Sequence, residues 1–327
     1  MSEQGTVKEQ DIRQKRFRTW LRNTFLRSLL VVFLVMLAVF FMIRLVPGDP
    51  AVMVLGEHAT EESIETLREQ LGVNLPLSQQ FLRFLSNIFL HGDTGTSLKY
   101  GVSSRELVFR FAPVSLALAG MAMVITVVVT VLLSFLAATH KDGIFDHMIR
   151  IIPAFTQGMP VFWIGLLFIL LFAVHWRIFP VGGIKEGTFG FLYSMILPAI
   201  TVSFGQIPPL VRSLRERLLE VLNADFVVTL KAAKIPPRKI FLRHVLKNAF
   251  VPTLMLFSVN LSYLIGGMLV VEQVFGIRGV GKLLFEAISN RDFPLVQAIA
   301  LYCAVFVVII SFLADLIAHR VDPRTEG

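Results

Sequence analysis

The chain of 327 residues is apolar and basic: 55% of its residues are hydrophobic, 17% are charged, and the formal net charge is +8. Soluble domains carry about 45–50% apolar and about 25% charged residues, so this composition excludes an ordinary soluble fold and indicates a membrane protein. Nucleic-acid binding is not indicated, because no segment places a basic stripe beside aromatic residues on a soluble fold. The single cysteine, Cys303, lies in an apolar run, so neither an internal disulfide nor a thiolate metal cluster is expected.

Six stretches without Asp, Glu, Lys or Arg predict six transmembrane helices. A spanning helix needs about 20 apolar residues, and five of the stretches have that length. The first has 16 residues, but Arg27 and Arg44 at its ends can extend to the two membrane surfaces. The apolar runs are continuous rather than alternating, which favours helices over a barrel. The predicted spans are residues 28–43, 111–139, 151–176, 188–211, 248–271 and 293–314.

The distribution of Lys and Arg predicts that both termini lie in the cytoplasm. With the N-terminus inside, the cytoplasmic segments carry 20 Lys and Arg, against 11 in the longer outer segments. Cytoplasmic loops collect positive residues, and segments 1–27 and 212–247 contribute most to this bias. We therefore expect a basic cytoplasmic segment 1–27, a transmembrane domain 28–318 and a cytoplasmic tail 319–327. Two connections are long enough to fold, the outer loop 47–110 and the cytoplasmic loop 212–247.

The outer loop 47–110 is predicted to be helical in pieces. Thr60 is a suitable cap for a helix whose first turn holds Glu61 and Glu62. Gly72 is the expected end of that helix, because glycine readily takes the left-handed conformation that terminates helices.

The segment 276–282 has the glycine and lysine spacing of a phosphate-binding loop, but we reject that interpretation. Leu283 stands where the motif needs Ser or Thr for Mg²⁺, and a membrane span precedes the loop instead of a buried strand. The simpler interpretation is a glycine-rich turn that folds an outer loop against the spans. No other catalytic set or metal-binding spacing is present, so we expect no enzyme activity, metal or cofactor in this chain.

The cytoplasmic loop 212–247 contains a predicted short helix, a corner and a second helix. Asn223 or Asp225 is expected to cap the first helix, and residues 226, 230 and 233 form an apolar stripe at helical spacing. Pro236 and Pro237 are expected to end the helix, and the second helix starts near Arg238. Such a short helix suits either insertion into a groove of a partner or a position on the membrane surface, and physical reasoning alone leaves the two equal.

This loop resembles the coupling loop of ATP-binding-cassette importer permeases. The matching residues are Asp225, Thr229, Lys231, Ala232, Ala233, Arg243, His244 and the segment 248–252. More narrowly, the chain is similar to the oligopeptide/dipeptide/nickel permease family. The motifs that carry the similarity are residues 45–51 (LVPGDPA), 92–97 (GDTGTS), 271–275 (VEQVF), 291–294 (RDFP) and 322–324 (DPR). One departure is Lys234, which stands where the family usually has glycine, and the resemblance suggests that Pro236 and Pro237 make the corner instead.

The resemblance implies a transmembrane permease subunit of an ATP-driven importer in a bacterial inner membrane. It implies partners: a homologous second permease, two ATPase subunits that bind ATP and Mg²⁺, and an extracytoplasmic binding protein. The expected cargo is a peptide or a similar small solute, with nickel or a metal chelate also open. A stand-alone secondary transporter or channel, or a membrane scaffold, is the alternative. The residues expected to couple to the ATPase are Asn223, Asp225, Phe226, Thr229, Leu230, Ala232, Ala233, Lys234, Ile235 and Pro236.

Overall fold

The computed structural model describes residues 3–44, 50–56, 59–72, 74–140, 143, 147, 149, 151, 158–246, 248–249 and 265–321. These residues form helices and one isolated β-bridge between Thr96 and Ser103, which confirms the prediction of an all-helical chain. In chain order the helices are α1 Glu3–Arg44, α2 Pro50–Leu55, α3 Glu61–Leu71, α4 Leu77–Ser86, α5 Ser104–Thr139, α6 Val161–Phe168, α7 Gly187–Phe204, α8 Ile207–Leu222, α9 Asp225–Ala232, α10 Pro237–Ile240, α11 Ile265–Val274, α12 Val280–Ser289 and α13 Phe293–Val321. Wider π-helical turns continue three of them, at Asn87–His91 after α4, Ile169–His175 after α6 and Phe241–Val245 after α10.

Four helices of the described part are long and apolar enough to cross a membrane. They are Phe17–Met42 within α1, Ser104–Thr139, Gly187–Phe204 and Phe293–Ile317 within α13, and they overlap predicted spans one, two, four and six. Predicted span four, 188–211, is longer than its helix, because a turn at residues 205–206 separates α7 from α8. Two shorter apolar helices, Val161–His175 and Ile265–Val274, coincide with parts of predicted spans three and five. The rest of those two spans, residues 152–157 and 250–264, lies outside the described residues, as do motif residues 45–49 and 322–324. The protein is therefore a multi-pass membrane protein.

The first span belongs to a helix that is much longer than the membrane is thick. Helix α1 has 42 residues and joins the basic N-terminal segment to the first apolar run without interruption. At 1.5 Å per residue it measures about 63 Å, roughly twice the hydrocarbon thickness of a bilayer. About half of α1 therefore extends beyond the membrane.

The chain divides into two compact units, residues 1–105 with 290–313 and residues 106–289 with 314–327. In the first unit the predicted ends of α3 are confirmed. The Thr60 hydroxyl accepts a hydrogen bond from the backbone N–H of Ser63 at 3.3 Å. Gly72 ends the helix in the left-handed conformation, with φ 67°. Ile64 on the same helix is buried against Ala51, so the outer loop has a small apolar core of its own.

A buried carboxylate ties the outer loop to the start of α13 within this first unit. Asp292 is 0% exposed and accepts a hydrogen bond from the Ser97 hydroxyl. It also accepts from the backbone N–H groups of Leu98 at 3.1 Å and Lys99 at 3.2 Å. Its side chain reaches the Leu295 N–H at 3.4 Å, in the first turn of α13, where a negative charge is favourable. Two of the family-like motifs, GDTGTS and RDFP, therefore meet through one side chain.

In the second unit the helices pack through hydroxyl groups and small residues. Ser203 on α7 donates a hydrogen bond to the carbonyl of Ala122 on α5 at 2.8 Å. Ser134 near the other end of α5 donates to the carbonyl of Val211 on α8 at 3.1 Å. Ala122 is fully buried, and such small residues let membrane helices approach closely enough for these bonds.

Candidate functional site

The candidate coupling loop consists of α8, the short helix α9 and α10. Two hydrogen bonds, from the Asn223 N–H to the carbonyls of Leu219 and Glu220 at 3.2 Å each, close the turn after α8. The residue at the N-cap of α9 is Ala224, and no side chain caps the helix there. The prediction that Asn223 or Asp225 caps the helix is therefore wrong. Asp225 lies in the first turn, where its charge still favours the positive end of the helix.

The inner face of α9 is anchored in a buried apolar cluster. Val227 is 0% exposed and packs with Leu214 and Leu218 of α8 and with Ile240 of α10. Leu230, one turn further along, packs against the same cluster. The cluster fixes α9 on α8 and α10, so the short helix has a firm base although it makes little more than two turns.

The predicted apolar stripe of residues 226, 230 and 233 does not form one buried face in the structure. Leu230 faces the cluster, whereas Phe226 is 40% exposed and Ala233 is also exposed. The stripe assumed that helical spacing continues through Ala233, but Ala233 is the C-cap, where the backbone departs from helical geometry with ψ 7°. The residue that anchors the helix is Val227, which the sequence reasoning missed.

The opposite face of α9 is exposed and partly apolar. Asp225, Thr229 and Ala232 are exposed, and Val228 between them is 60% exposed. Val228 was also missed; the signal available in the sequence was the pair of adjacent valines, of which one must face away from the core. The exposed face thus combines small, apolar and acidic side chains on a fixed base.

The helix ends at Lys234, before the two prolines. The N–H of Lys234 donates to the carbonyl of Lys231 at 3.0 Å, and the N–H of Ile235 donates to the carbonyl of Leu230 at 3.3 Å. These two bonds and a left-handed residue define a Schellman motif, and Lys234 is that residue with φ 56°. The prediction that Pro236 and Pro237 end the helix is wrong.

The prolines instead organise the start of the next helix. Pro236 is the N-cap of α10, and Pro237 is its first residue, where the missing N–H leaves no bond unmade. Lys234 therefore makes the corner of the loop. At this position the resemblance described above leads to the expectation of a glycine.

The base of the loop is connected to the C-terminal half of α5. The ring of Phe241, in the π-helical turn after α10, lies 4.7 Å from the ring of Phe135 on α5 in an edge-to-face arrangement. The adjacent Ser134 makes the hydrogen bond to Val211 of α8. Two contacts, one from α8 and one from the turn after α10, thus join the loop to α5. Among the described residues no group of His, Cys, Asp and Glu is placed to hold a metal ion.

These features define a polytopic α-helical membrane protein with a short helix exposed on a helical base. Two family models match the chain: "Binding-protein-dependent transport system inner membrane component" over residues 130–327, and the N-terminal membrane component of such systems over residues 17–102. The chain therefore belongs to the family of binding-protein-dependent transport permeases, the membrane components of ATP-binding-cassette (ABC) transporters.

Relatives in this family carry names that refer to peptides. The chain is 35% identical over 300 residues to a probable peptide ABC transporter permease protein, y4tP of Sinorhizobium fredii, covering 91% of this chain and 96% of that protein. It is 33% identical to the probable D,D-dipeptide transport system permease protein DdpB of Escherichia coli, covering 90% and 94%. It is 30% identical to the dipeptide transport system permease protein DppB of the same organism, covering 88% and 93%.

A solved structure shares the fold. The inward-facing MetNI methionine ABC transporter matches with a TM-score of 0.52 at 16% identity, over 66% of this chain and 97% of the matched chain. At this identity the match concerns the fold alone.

Proposed function

We propose that the chain is one permease subunit of an ATP-driven importer and forms half of a translocation pathway for peptides or similar small solutes. The relatives named for peptide and dipeptide transport support this class of cargo. Transport of nickel or a metal chelate is supported only by the resemblance of the motifs. ATP and Mg²⁺ bind to two partner ATPase subunits, and an extracytoplasmic binding protein delivers the solute to this chain and a second permease.

The proposed membrane arrangement has six spans with both termini in the cytoplasm of a bacterial inner membrane. The four long apolar helices and the two shorter ones support the number six, and the excess of Lys and Arg in segments 1–27 and 212–247 supports the orientation. The domain of residues 28–318 carries the pathway, with the outer loop 47–110 and the coupling loop 212–247, and residues 319–327 form a short tail.

The observation that carries the coupling proposal is the exposed face of α9 on its rigid base. Val228 and Phe226 present apolar surface, while Ala232 and Ala233 are small enough for a partner backbone to approach closely. Because α9 is fixed to α8 and α10 by Val227, a docked ATPase that moves would carry the whole loop. The switch between outward-facing and inward-facing states then follows from two positions of the ATPase pair. The coupling residues are those of the segment 223–236 named above, with Val228 added and Val227 as their anchor.

The experiment tests docking on this face with charged substitutions. Val228→Asp and Ala233→Asp are each expected to leave the permease inserted, because both side chains are exposed and surface changes cost about 0.5 kcal/mol or less. A charge buried without a partner at an interface costs about 3 kcal/mol, so ATPase affinity should fall on the order of 100-fold. Ala233→Ser is the matched control, since it stays small and uncharged.

Three readouts decide the result: permease level in membranes, co-purification of the ATPase, and ATP-dependent uptake in liposomes. The expected pattern is normal insertion, lost co-purification and lost uptake for both Asp variants, with Ala233→Ser normal throughout. If both Asp variants co-purify with the full ATPase and transport normally, α9 is a helix on the membrane surface and docking lies elsewhere. Uptake by the permease without any ATPase would instead identify a stand-alone transporter or channel.

A further inference from the structure

The glycine-rich loop 276–282, which connects α11 to α12, surrounds a carboxylate of the same chain. Glu272, in the last turn of α11, is 0% exposed, and its Oε2 accepts a hydrogen bond from the backbone N–H of Gly281 at 2.7 Å. The Ser115 hydroxyl and the Lys282 backbone N–H lie beside this carboxylate. Its Oε2 is therefore bound by the first turn of α12, whereas Oε1 has no hydrogen-bond partner in the described part of the chain.

A second bond closes the arrangement. The backbone N–H of Val280, the first residue of α12, donates to the Ser115 hydroxyl oxygen at 2.8 Å. Ser115 thus accepts from the loop and lies beside Glu272, so one side chain of α5 contacts both. In addition, the Ile277 N–H donates to the Glu272 carbonyl at 2.8 Å, which folds the loop back over the end of α11.

Two positions in the loop must be glycine because a Cβ there would clash, each with a different neighbour. A Cβ on Gly279 would overlap the Glu272 carboxylate itself. A Cβ on Gly281 would lie 2.5 Å from the Leu269 backbone of α11. Neither residue has a positive φ, so glycine is needed at both positions for its small size and not for an unusual backbone conformation.

We infer that this loop is an anion-binding site whose ligand is the chain's own Glu272, and that Glu272 is a positioning residue locking α12 to α11 and α5. A helix N-terminus with converging backbone N–H groups favours a negative charge, which is how phosphate loops bind their ligand. Burial of a charge is costly unless donors compensate it; the Gly281 N–H compensates Oε2 of Glu272, whereas Oε1 has no partner among the described residues. Here the Glu272 side chain fills the place that a phosphate would take. The loop can therefore keep the spacing of a phosphate loop without the Ser or Thr that would bind Mg²⁺. The consequence for transport rests on the proposed function: α11, α12 and the outer part of α5 move as one body.

The test is a pair of double-variant comparisons on the full-length permease purified from membranes. Gly279→Ala and Gly281→Ala are each measured in the wild-type background and together with Glu272→Ala. Each single glycine variant should lower the apparent Tm by about 5 °C or more, because both new methyl groups meet atoms that cannot move freely. In the Glu272→Ala background, Gly279→Ala should cost almost nothing, because the carboxylate it would strike is gone. Gly281→Ala should cost as much as before, since the Leu269 backbone is still there.

Glu272→Gln tests whether the charge matters, because it keeps the size and shape of the side chain. Its amide NH₂ would face backbone N–H donors, so the apparent Tm should fall by about 5 °C here as well. A Gln variant as stable as the wild type, or a Gly279→Ala cost that is equal in both backgrounds, would overturn the inference. If Glu272→Ala does not reach the membrane, a higher membrane level of the Glu272→Ala, Gly279→Ala double variant supports it, and an equal or lower level contradicts it.

Uptake in the assembled transporter is measured separately, with co-purification of the ATPase as the control. Glu272→Gln is expected to lower uptake about tenfold while the ATPase co-purifies normally, since α9 is not altered. The stability comparison needs no ATPase. It therefore succeeds or fails independently of the proposed coupling, whereas normal uptake by a destabilised Gln variant would refute only the role of Glu272 in transport.

Discussion

Replacement of Lys234 by glycine should stabilise the permease. Lys234 ends α9 with φ 56°, a left-handed conformation that costs about 1–2 kcal/mol for a residue with a Cβ. Glycine removes that cost but loses about 0.5–1 kcal/mol through the greater freedom of the unfolded chain. The net gain is about 0.5–1 kcal/mol. For a chain of 327 residues such a gain raises Tm by about 1 °C.

Two matched variants separate the backbone effect from the loss of a charged side chain. Lys234→Ala removes the same side chain but keeps the Cβ, so it should give no increase in Tm. Arg177→Gly changes a second exposed residue with positive φ, 53°, and should stabilise the protein by a similar amount. The measurement is thermal unfolding of the purified permease, followed by intrinsic fluorescence or by a thiol dye on Cys303.

The result that would refute the reasoning is a Lys234→Gly variant no more stable than Lys234→Ala. That outcome would mean that the Schellman motif carries no strain at this position, and that the hydrogen bonds from Lys234 and Ile235 alone hold the corner. ATPase co-purification should be unchanged in Lys234→Gly, because glycine keeps the left-handed corner and leaves the other proposed coupling residues in place.

Three further predictions concern other parts of the chain. In a Cys303→Ser background, an impermeant thiol reagent on intact cells should label a cysteine placed at Ser78 and spare one placed at Thr229, since both positions are exposed and the proposed topology puts them on opposite sides of the membrane; the reverse labelling would overturn the orientation. Lys282→Ala should leave ATP hydrolysis of the complex near normal, because only the backbone N–H of this residue meets the carboxylate; a loss as deep as that from disabling the ATPase would restore the nucleotide-loop interpretation. Asp292→Ala should destabilise the first unit by about 3 kcal/mol, seen as a lower Tm and faster proteolysis of the outer loop, because it leaves the buried Ser97 hydroxyl and the N–H groups of Leu98 and Lys99 without their acceptor; wild-type values would show that water replaces the carboxylate.

The sequence predicted well those features that depend on local chemistry and on hydropathy. Apolar runs without charges located the four long helices, because lipid tolerates neither charged residues nor unpaired backbone. Thr60 and Gly72 were identified correctly as the ends of α3, since a capping hydroxyl and a left-handed glycine act within one helical turn.

The sequence predicted poorly which side of a short helix faces inward. Helix α9 has eight residues, and over two turns an i, i+4, i+7 pattern and an i, i+3 pattern fit equally well. The choice of Val227 over Phe226 as the anchor is made by the packing of α8 and α10, which no local pattern contains. The same holds for the end of α9: two prolines are a strong stop signal, but the helix had already ended at Lys234 through bonds that a lysine rarely makes at positive φ.

Contacts between motifs that are far apart in the chain could not be predicted from the sequence. Ser97 and Asp292 are separated by 195 residues, and each belongs to a motif that was recognised on its own. In the sequence, Glu272 stands in the motif VEQVF, and the glycine loop has the spacing of a phosphate-binding loop without its Ser or Thr. Only the three-dimensional arrangement brings the carboxylate into the loop, and this explains both observations together.

Helix α5 connects the two ends of the second unit. Ser115 accepts a hydrogen bond from the glycine loop, and Ser134 donates one to α8 at the base of the coupling loop. Nineteen residues of helix between them span about 28 Å, close to the thickness of the hydrocarbon core. An importer must change the outer end of its pathway when the ATPase moves at the inner end, and this requires an element that cannot absorb the movement by bending. We expect α5 to be that element. The coupling loop holds its inner end through α8 and α10, and the contacts of Ser115 with the loop around Glu272 hold its outer end. Breaking either connection should therefore lower uptake while leaving the other end of the unit folded.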